Sequence, residues 1–386
     1  MFRLGGWLYS EGRFRNGGVT IDDGVIVDVE RTPGRALDAR GLILPAFTNA
    51  HTHAGDAVVR QELAGNVEEL VAPPHGLKHR VLARASDAAV VAASRDYLER
   101  MARGGTQAFW DFREMGLRGI RQLYEAALGL PLRPKIFGRP SSMRYNRDEV
   151  RAILRACDGI GISSRLDWEP RAAAKLAKDA HDARKVFATH ASERIREDID
   201  DVLELKPDLL VHLTEATESD LSRVADEGIP VVVCPRSNAF FGKILDLPRL
   251  ARSGVPFFLG TDNAMVNGPS MFREMDFAWK LARLKGGVAP RVILDAALAG
   301  RKGLTASPDV ALAPGDPADV IVLDVAGEPT FGGVFRSGEA DLGFVGLGGR
   351  AWLRKDRRLV ELAPPKAGTA RRRTPRQHRR ARSARS

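Results

Sequence analysis

Cysteine is almost missing from the 386 residues: Cys157 and Cys234 stand apart and form no C-x-x-C pair. A disulfide framework is therefore excluded, and both thiols are expected as small buried hydrophobes. No apolar run approaches the roughly 20 residues that span a bilayer. The start, Met1-Phe2-Arg3-Leu4-Gly5-Gly6-Trp7, lacks the apolar stretch of a secretory signal. The expectation is a cytoplasmic protein without a membrane partner. Acidic residues are missing from one place. From Ala363 onward there are nine Lys and Arg residues and no Asp or Glu, and they account for nine of the ten net positive charges. The rest of the chain is nearly neutral, so the overall basicity gives no specific nucleic-acid partner. The tail, 363–386, has almost nothing apolar and is expected to be disordered, with weak polyanion contact its one electrostatic capability.

What is present centres on Asn49-Ala50-His51-Thr52-His53-Ala54-Gly55-Asp56, which follows the apolar run Gly41 to Phe47. That run reads as a buried strand. Side chains alternate along a strand, so His51 and His53 point the same way and can offer two imidazole nitrogens to one ion. Three further apolar strands end in a residue that suits a metal site: Lys185–His190, Leu209–His212 and Val255–Asp262. Each polar residue stands where a parallel barrel builds its active site, at the C-terminal end of a strand. Singly, each has a plainer reading: His212 as a satisfied core histidine, Asp262 as a helix N-cap, Glu193 as a solvated carboxylate at a helix start.

The order H-x-H, T-H-A-S-E, V-H-L-T, G-T-D-N resembles the amidohydrolase superfamily in its mononuclear branch of metal-dependent deaminases and chlorohydrolases, over roughly residues 1 to 361. The resemblance implies that His51, His53, His190 and Asp262 hold one Zn2+ per subunit, with Fe2+ as a competitor, and leave a position for water. It implies Glu193, three residues beyond His190, as the proton shuttle, and His212 as a hydrogen-bond partner of the attacking oxygen. Asp262 would also accept a proton as the nucleophile forms. Binuclear relatives carry a carboxylated lysine at the end of strand four, and Gly159 to Arg165 contains none. The H-x-E and P-C-x-x-C pattern of the other zinc deaminases is absent as well.

Lys78 and His79, in the Pro- and Gly-marked segment 71–80, are candidates to meet a substrate over the barrel mouth. Trp110 and Arg113 close a strand and are expected to line the pocket, with Trp110 stacking on a flat ring. Asn238 and Asn263 are candidate pocket donors.

Alternating strands and amphipathic helices between the chain ends predict a (β/α)8 TIM-type barrel at 44–306. Short strands at 1–43 and 307–362, with a hairpin at Asp22-Asp23-Gly24, predict a small β-sandwich domain built from both ends. The expected function is an aminohydrolase replacing the exocyclic amine of a nucleobase or adenosine-type nucleoside by hydroxyl. The alternatives are a chlorohydrolase or cyclic-amide hydrolase using the same water, and an inactive binding protein with a basic tail. The expected partner is a small heterocyclic substrate, and a homodimer is compatible with the sequence.

Overall fold

The computed structural model describes residues 1–31, 36–301, 303–304, 310–356 and 358–362. The arginine-rich tail, whose disorder the composition predicts, lies outside the described residues.

Four strands open the chain: β1 (Phe2–Ser10), β2 (Arg13–Asp22), β3 (Val25–Glu30) and β4 (Ala39–Pro45). Between β2 and β3 the chain reverses at Asp23 and Gly24, with φ of 46° and 74°. Two positive φ values are what a two-residue turn matching strand twist requires, and Asp-Gly tolerates both.

Barrel strands follow: β5 (Phe47–His53), β6 (Thr106–Arg113), β7 (Arg133–Gly138), β8 (Gly159–Ile162), β9 (Val186–Ala191), β10 (Leu209–His212), β11 (Val231–Val233) and β12 (Phe257–Leu259). Each pairs in parallel with the next. A two-residue strand, β13 (Asp262–Asn263), continues β12 beyond Gly260-Thr261 and pairs with Thr52 and His53 of β5, which closes the ring. The interior is filled by Ala50, Trp110, Phe112, Phe137, Ala188, Val211 and Phe258. The outer helices begin where the sequence places caps. Ser86 Oγ accepts from the Ala89 N–H at 3.2 Å at the head of Asp87–Arg103, and Pro170 opens Pro170–Asp182.

The chain ends meet as expected. Strands β14 (Val320–Leu323), β15 (Leu342–Leu347), β16 (Arg350–Lys355) and β17 (Arg358–Glu361) join the first four in one sheet, in the order β17-β16-β15-β14-β4-β1-β2-β3. Phe2 on β1 and Phe344 on β15 are three strand spacings apart along this sheet, about 14 Å if it were flat. Their ring centroids lie 5.4 Å apart, so the sheet curls over a small core of Leu4, Ile21, Ile26, Ile43, Val320 and Phe344.

One expectation is refined. The apolar run from Gly41 belongs mostly to β4, which pairs with β14 and β1 in the end domain, and the strand carrying the histidines is β5 itself. The chain changes sheets at Pro45-Ala46, where the Ala46 N–H donates to the Asp319 carbonyl.

Candidate metal centre

His51 and His53 lie at the C-terminal end of β5. Pairing with β6 is irregular between Asn49 and Thr52, so Ala50 fills the barrel interior while His51, one residue on, sets its ring 4.5 Å from that of Phe112. Such an irregularity re-aims side chains next to a site. His190 stands in β9 and His212 ends β10. Ring centroids of His51 are 4.9 Å from those of both His53 and His190, and 5.8 Å from His212. Asp262 Oδ1 lies 3.2 Å from His51 Nε2 and 3.5 Å from His53 Nε2.

Two overlapping triads place one ligand atom from each member within 4.8 Å of the others: His51, His53, His190, and His51, His212, Asp262. The backbone contributes strain, with His212 at φ 76° and Asp262 at φ 60°. Non-glycine residues persist there only when their surroundings hold them, a condition met often at functional sites.

Hydrogen bonds aim the rings. His190 Nδ1 donates to the Ile162 carbonyl at 2.8 Å, which turns its Nε2 lone pair to the centre. His53 Nδ1 makes an ion-pair contact with Glu114 Oε1 at 2.8 Å. His212 has the opposite polarity: Asn238 Nδ2 donates to its Nδ1 at 3.1 Å. The proton therefore sits on Nε2, 3.5 Å from Glu193 Oε1.

Both nitrogens of His51 and the Oδ1 of Asp262 are buried without a hydrogen-bond partner. Burial pushes His51 down to about 3 and His190 well below the ordinary imidazole value, so both are neutral. Burial would raise Asp262, but its contact with His51 holds it well below the carboxylate range. Three buried imidazoles and one carboxylate, with the His51 nitrogens and Asp262 Oδ1 left without a hydrogen-bond partner, form a donor set that fits a divalent cation such as Zn2+.

Around this centre is a cleft lined by His53, Lys78, Arg139, Glu193, His212 and Asp262 among others. Burial raises the Glu193 carboxyl above its usual range. Lys78 and Asn263 reach the cleft and touch each other at 3.3 Å. The segment before Lys78 covers the mouth through Val67, Val71, Ala72 and Pro73.

Four expected pocket residues stand elsewhere. Trp110 is fully buried in the barrel interior, its ring 4.9 Å from that of Phe258, one inward layer deeper than Phe112. Arg113 is buried beneath Gly55 and ion-pairs with Glu114 at 3.3 Å. His79 turns away, with Nε2 3.1 Å from the Val71 carbonyl, and burial takes it down to about 3. Asn238 acts on His212 rather than on the cleft.

Residues that the motif order does not single out join the site. Ser237 Oγ donates to Asp262 Oδ2 at 2.5 Å, and Arg139 follows β7 into the cleft. The sequence signal of Arg139 is only a position just past a strand end, whereas Ser237 lies in Pro235-Arg236-Ser237-Asn238, a turn that resembles the P-x-S-N turn of the amidohydrolases.

The chain is similar to known proteins. A putative aminohydrolase of Methanothermobacter thermautotrophicus is 33% identical over 338 residues, covering 81% of this chain and 88% of the relative. A 5-methylthioadenosine/S-adenosylhomocysteine deaminase of Halobacterium salinarum is 25% identical over 351 residues, 79% of each chain. Among solved structures, an adenosine deaminase of Xanthomonas campestris with bound zinc superposes with a TM-score of 0.75 at 18% identity, covering 94% of each chain, a likeness of fold. The model of the Amidohydrolase family matches residues 42–352, from the last strand before the barrel to the closing sheet, and the chain belongs to that family.

Proposed function

We propose that the protein is a mononuclear metal-dependent aminohydrolase that replaces the exocyclic amine of a nucleobase or adenosine-type nucleoside by hydroxyl and releases ammonia. The observation that carries this reading is Glu193, a partly buried carboxyl with a raised pKa, 3.5 Å from His212 Nε2 on the wall of the cleft. Release of an amine needs a group that takes one proton from water and delivers it to the ring nitrogen, then carries the second proton, from the hydroxyl now on carbon, to the leaving nitrogen as the C–N bond breaks. His51, His53, His190 and Asp262 would hold one Zn2+, which supplies a Lewis acid able to bring the pKa of water to about 7.

Glu193 accepts the proton and returns it on the substrate side. The Nε2–H of His212, fixed by Asn238, donates to the oxygen that attacks. Ser237 holds Asp262 Oδ2, leaving Oδ1 toward His51 and His53. The names of the archaeal relatives support the amine as leaving group, and that of the Halobacterium relative supports an adenosine-type substrate.

The test is ammonia release by the zinc-loaded protein from cytosine, guanine, adenosine, methylthioadenosine and S-adenosylhomocysteine. Release from one of them with turnover above background is expected. Intact substrates across the panel, with cleavage of a cyclic amide or a chloro-heterocycle instead, would overturn the aminohydrolase reading.

A further inference from the structure

Beside the metal centre lies a buried ionic cluster that the reaction does not use, and Glu114 is its hub. Glu114 follows β6 and is 2% exposed. Its Oε1 lies 2.8 Å from His53 Nδ1, 2.8 Å from Lys78 Nζ and 3.0 Å from Arg139 Nη2, and its Oε2 lies 3.3 Å from Arg113 Nη2. Four groups from four different segments converge on one carboxylate. Lys78 also ion-pairs with Asp56 Oδ2 at 3.3 Å and donates a hydrogen bond to Asn263 Oδ1 at 3.3 Å.

We propose, resting on the metal-dependent reading above, that Glu114 is a positioning residue for the metal site: it fixes the tautomer and ring angle of His53. A histidine that presents Nε2 to a cation needs its proton on Nδ1, and a carboxylate facing Nδ1 both selects that tautomer and makes Nε2 a better donor. His190 obtains the same service from a backbone carbonyl. Only His53 has a charged side chain for the purpose, among the described residues that aim the three histidines nearest His51. Lys78 and Arg139 prevent Glu114 from turning, because a swing of the carboxylate away from His53 would strand two buried cations. Lys78 belongs to the helix Leu77–Arg84, whose leading segment covers the cleft. The carboxylate that aims a metal-site histidine is thus the one that fastens this covering segment.

The experiment compares Glu114→Gln and Glu114→Asp with the unaltered protein, reading zinc affinity by chelator competition and the visible spectrum after Co2+ loading. Glu114→Gln is expected to weaken zinc binding about 10- to 100-fold, the usual loss when such a partner of a ligating histidine is removed, and to alter the Co2+ bands. Glu114→Asp keeps the charge but shortens the reach, and is expected to fall between the two while folding even where the Gln variant does not. If both folded variants bind zinc as tightly as the unaltered chain with an unchanged Co2+ spectrum, Glu114 does not position His53 and the proposal fails, although the metal reading stands. If the unaltered chain itself binds no zinc, the metal reading fails first.

Discussion

In the proposed reaction Glu193 and His212 divide the proton chemistry, and their environments set the division. Asn238 pins the His212 proton on Nε2, where it can donate and cannot accept. Glu193, raised by burial, is then the group beside His212 suited to take a proton and give it back. Glu193→Gln preserves volume and removes the basic function. It is expected to keep the metal and lose 100- to 10,000-fold in kcat, on the order of what a general acid–base group contributes. Metal content and kcat measured on the same preparation check this, and an unchanged kcat would remove Glu193 from the mechanism. Several of these roles are legible in the sequence, since His51, His53, His190, His212 and Asp262 all close apolar strands. Trp110 shows the limit. Strand alternation says that it faces inward, but depth within the barrel depends on the register between neighbouring strands, and one layer separates a pocket wall from the core. Glu114 is illegible for a related reason, because its significance lies in meeting Lys78, Arg139 and His53 from three other segments.

Local signals specify the helices and turns around the barrel well, because caps and turn residues act over three or four positions. Thr217 and Asp220 form a capping box at the head of Glu218–Asp226. Asp220 also takes a two-toothed contact from Arg196, with Nε at 2.8 Å and Nη2 at 2.7 Å. The Arg196 hydrogen bond is the largest cause holding the Asp220 pKa at about 2, against a usual value of 3.8. A depressed carboxylate stabilises the fold fully above its unfolded pKa, and the contribution is lost as pH falls through the folded value. Arg196 is half exposed, so solvent screening limits the whole contribution to about 1 kcal/mol. Asp220→Asn is therefore expected to cost about 1 kcal/mol at pH 7 and roughly half of that near pH 3. Denaturant unfolding at the two pH values reads the difference, and an equal cost at both would show that the charge is not the cause. The passage from β4 to β5 is less legible. An unbroken apolar run reads as one strand, whereas the structure divides it at Pro45-Ala46 because the flanking ladders belong to different sheets.

The barrel and the curled sheet are made from one chain that leaves the sheet at Pro45 and returns to it at Val320. The closing contact of the barrel, β13 on β5, also brings Asp262 beside Thr52 and thereby to His51 and His53. The strand pair that closes the barrel therefore also brings together, from segments far apart in sequence, three of the groups proposed to hold the metal. Alternation of strands and helices makes the barrel readable from the sequence. The curl of the end sheet is not, since it depends on contacts such as Phe2 with Phe344 across strands from opposite chain ends. Among the described residues no helix is long and apolar enough to cross a membrane. The central claim is that His51, His53, His190 and Asp262 would hold one metal ion per chain, which would supply the Lewis acidity the hydrolytic release of an amine needs. Its most direct test is a zinc titration of the metal-free protein with ammonia release as the readout, on whichever panel substrate turns over. The account predicts a rate that rises linearly and breaks at one zinc per chain, and no break for Asp262→Ala. A rate independent of zinc, or a break at two equivalents, would contradict it.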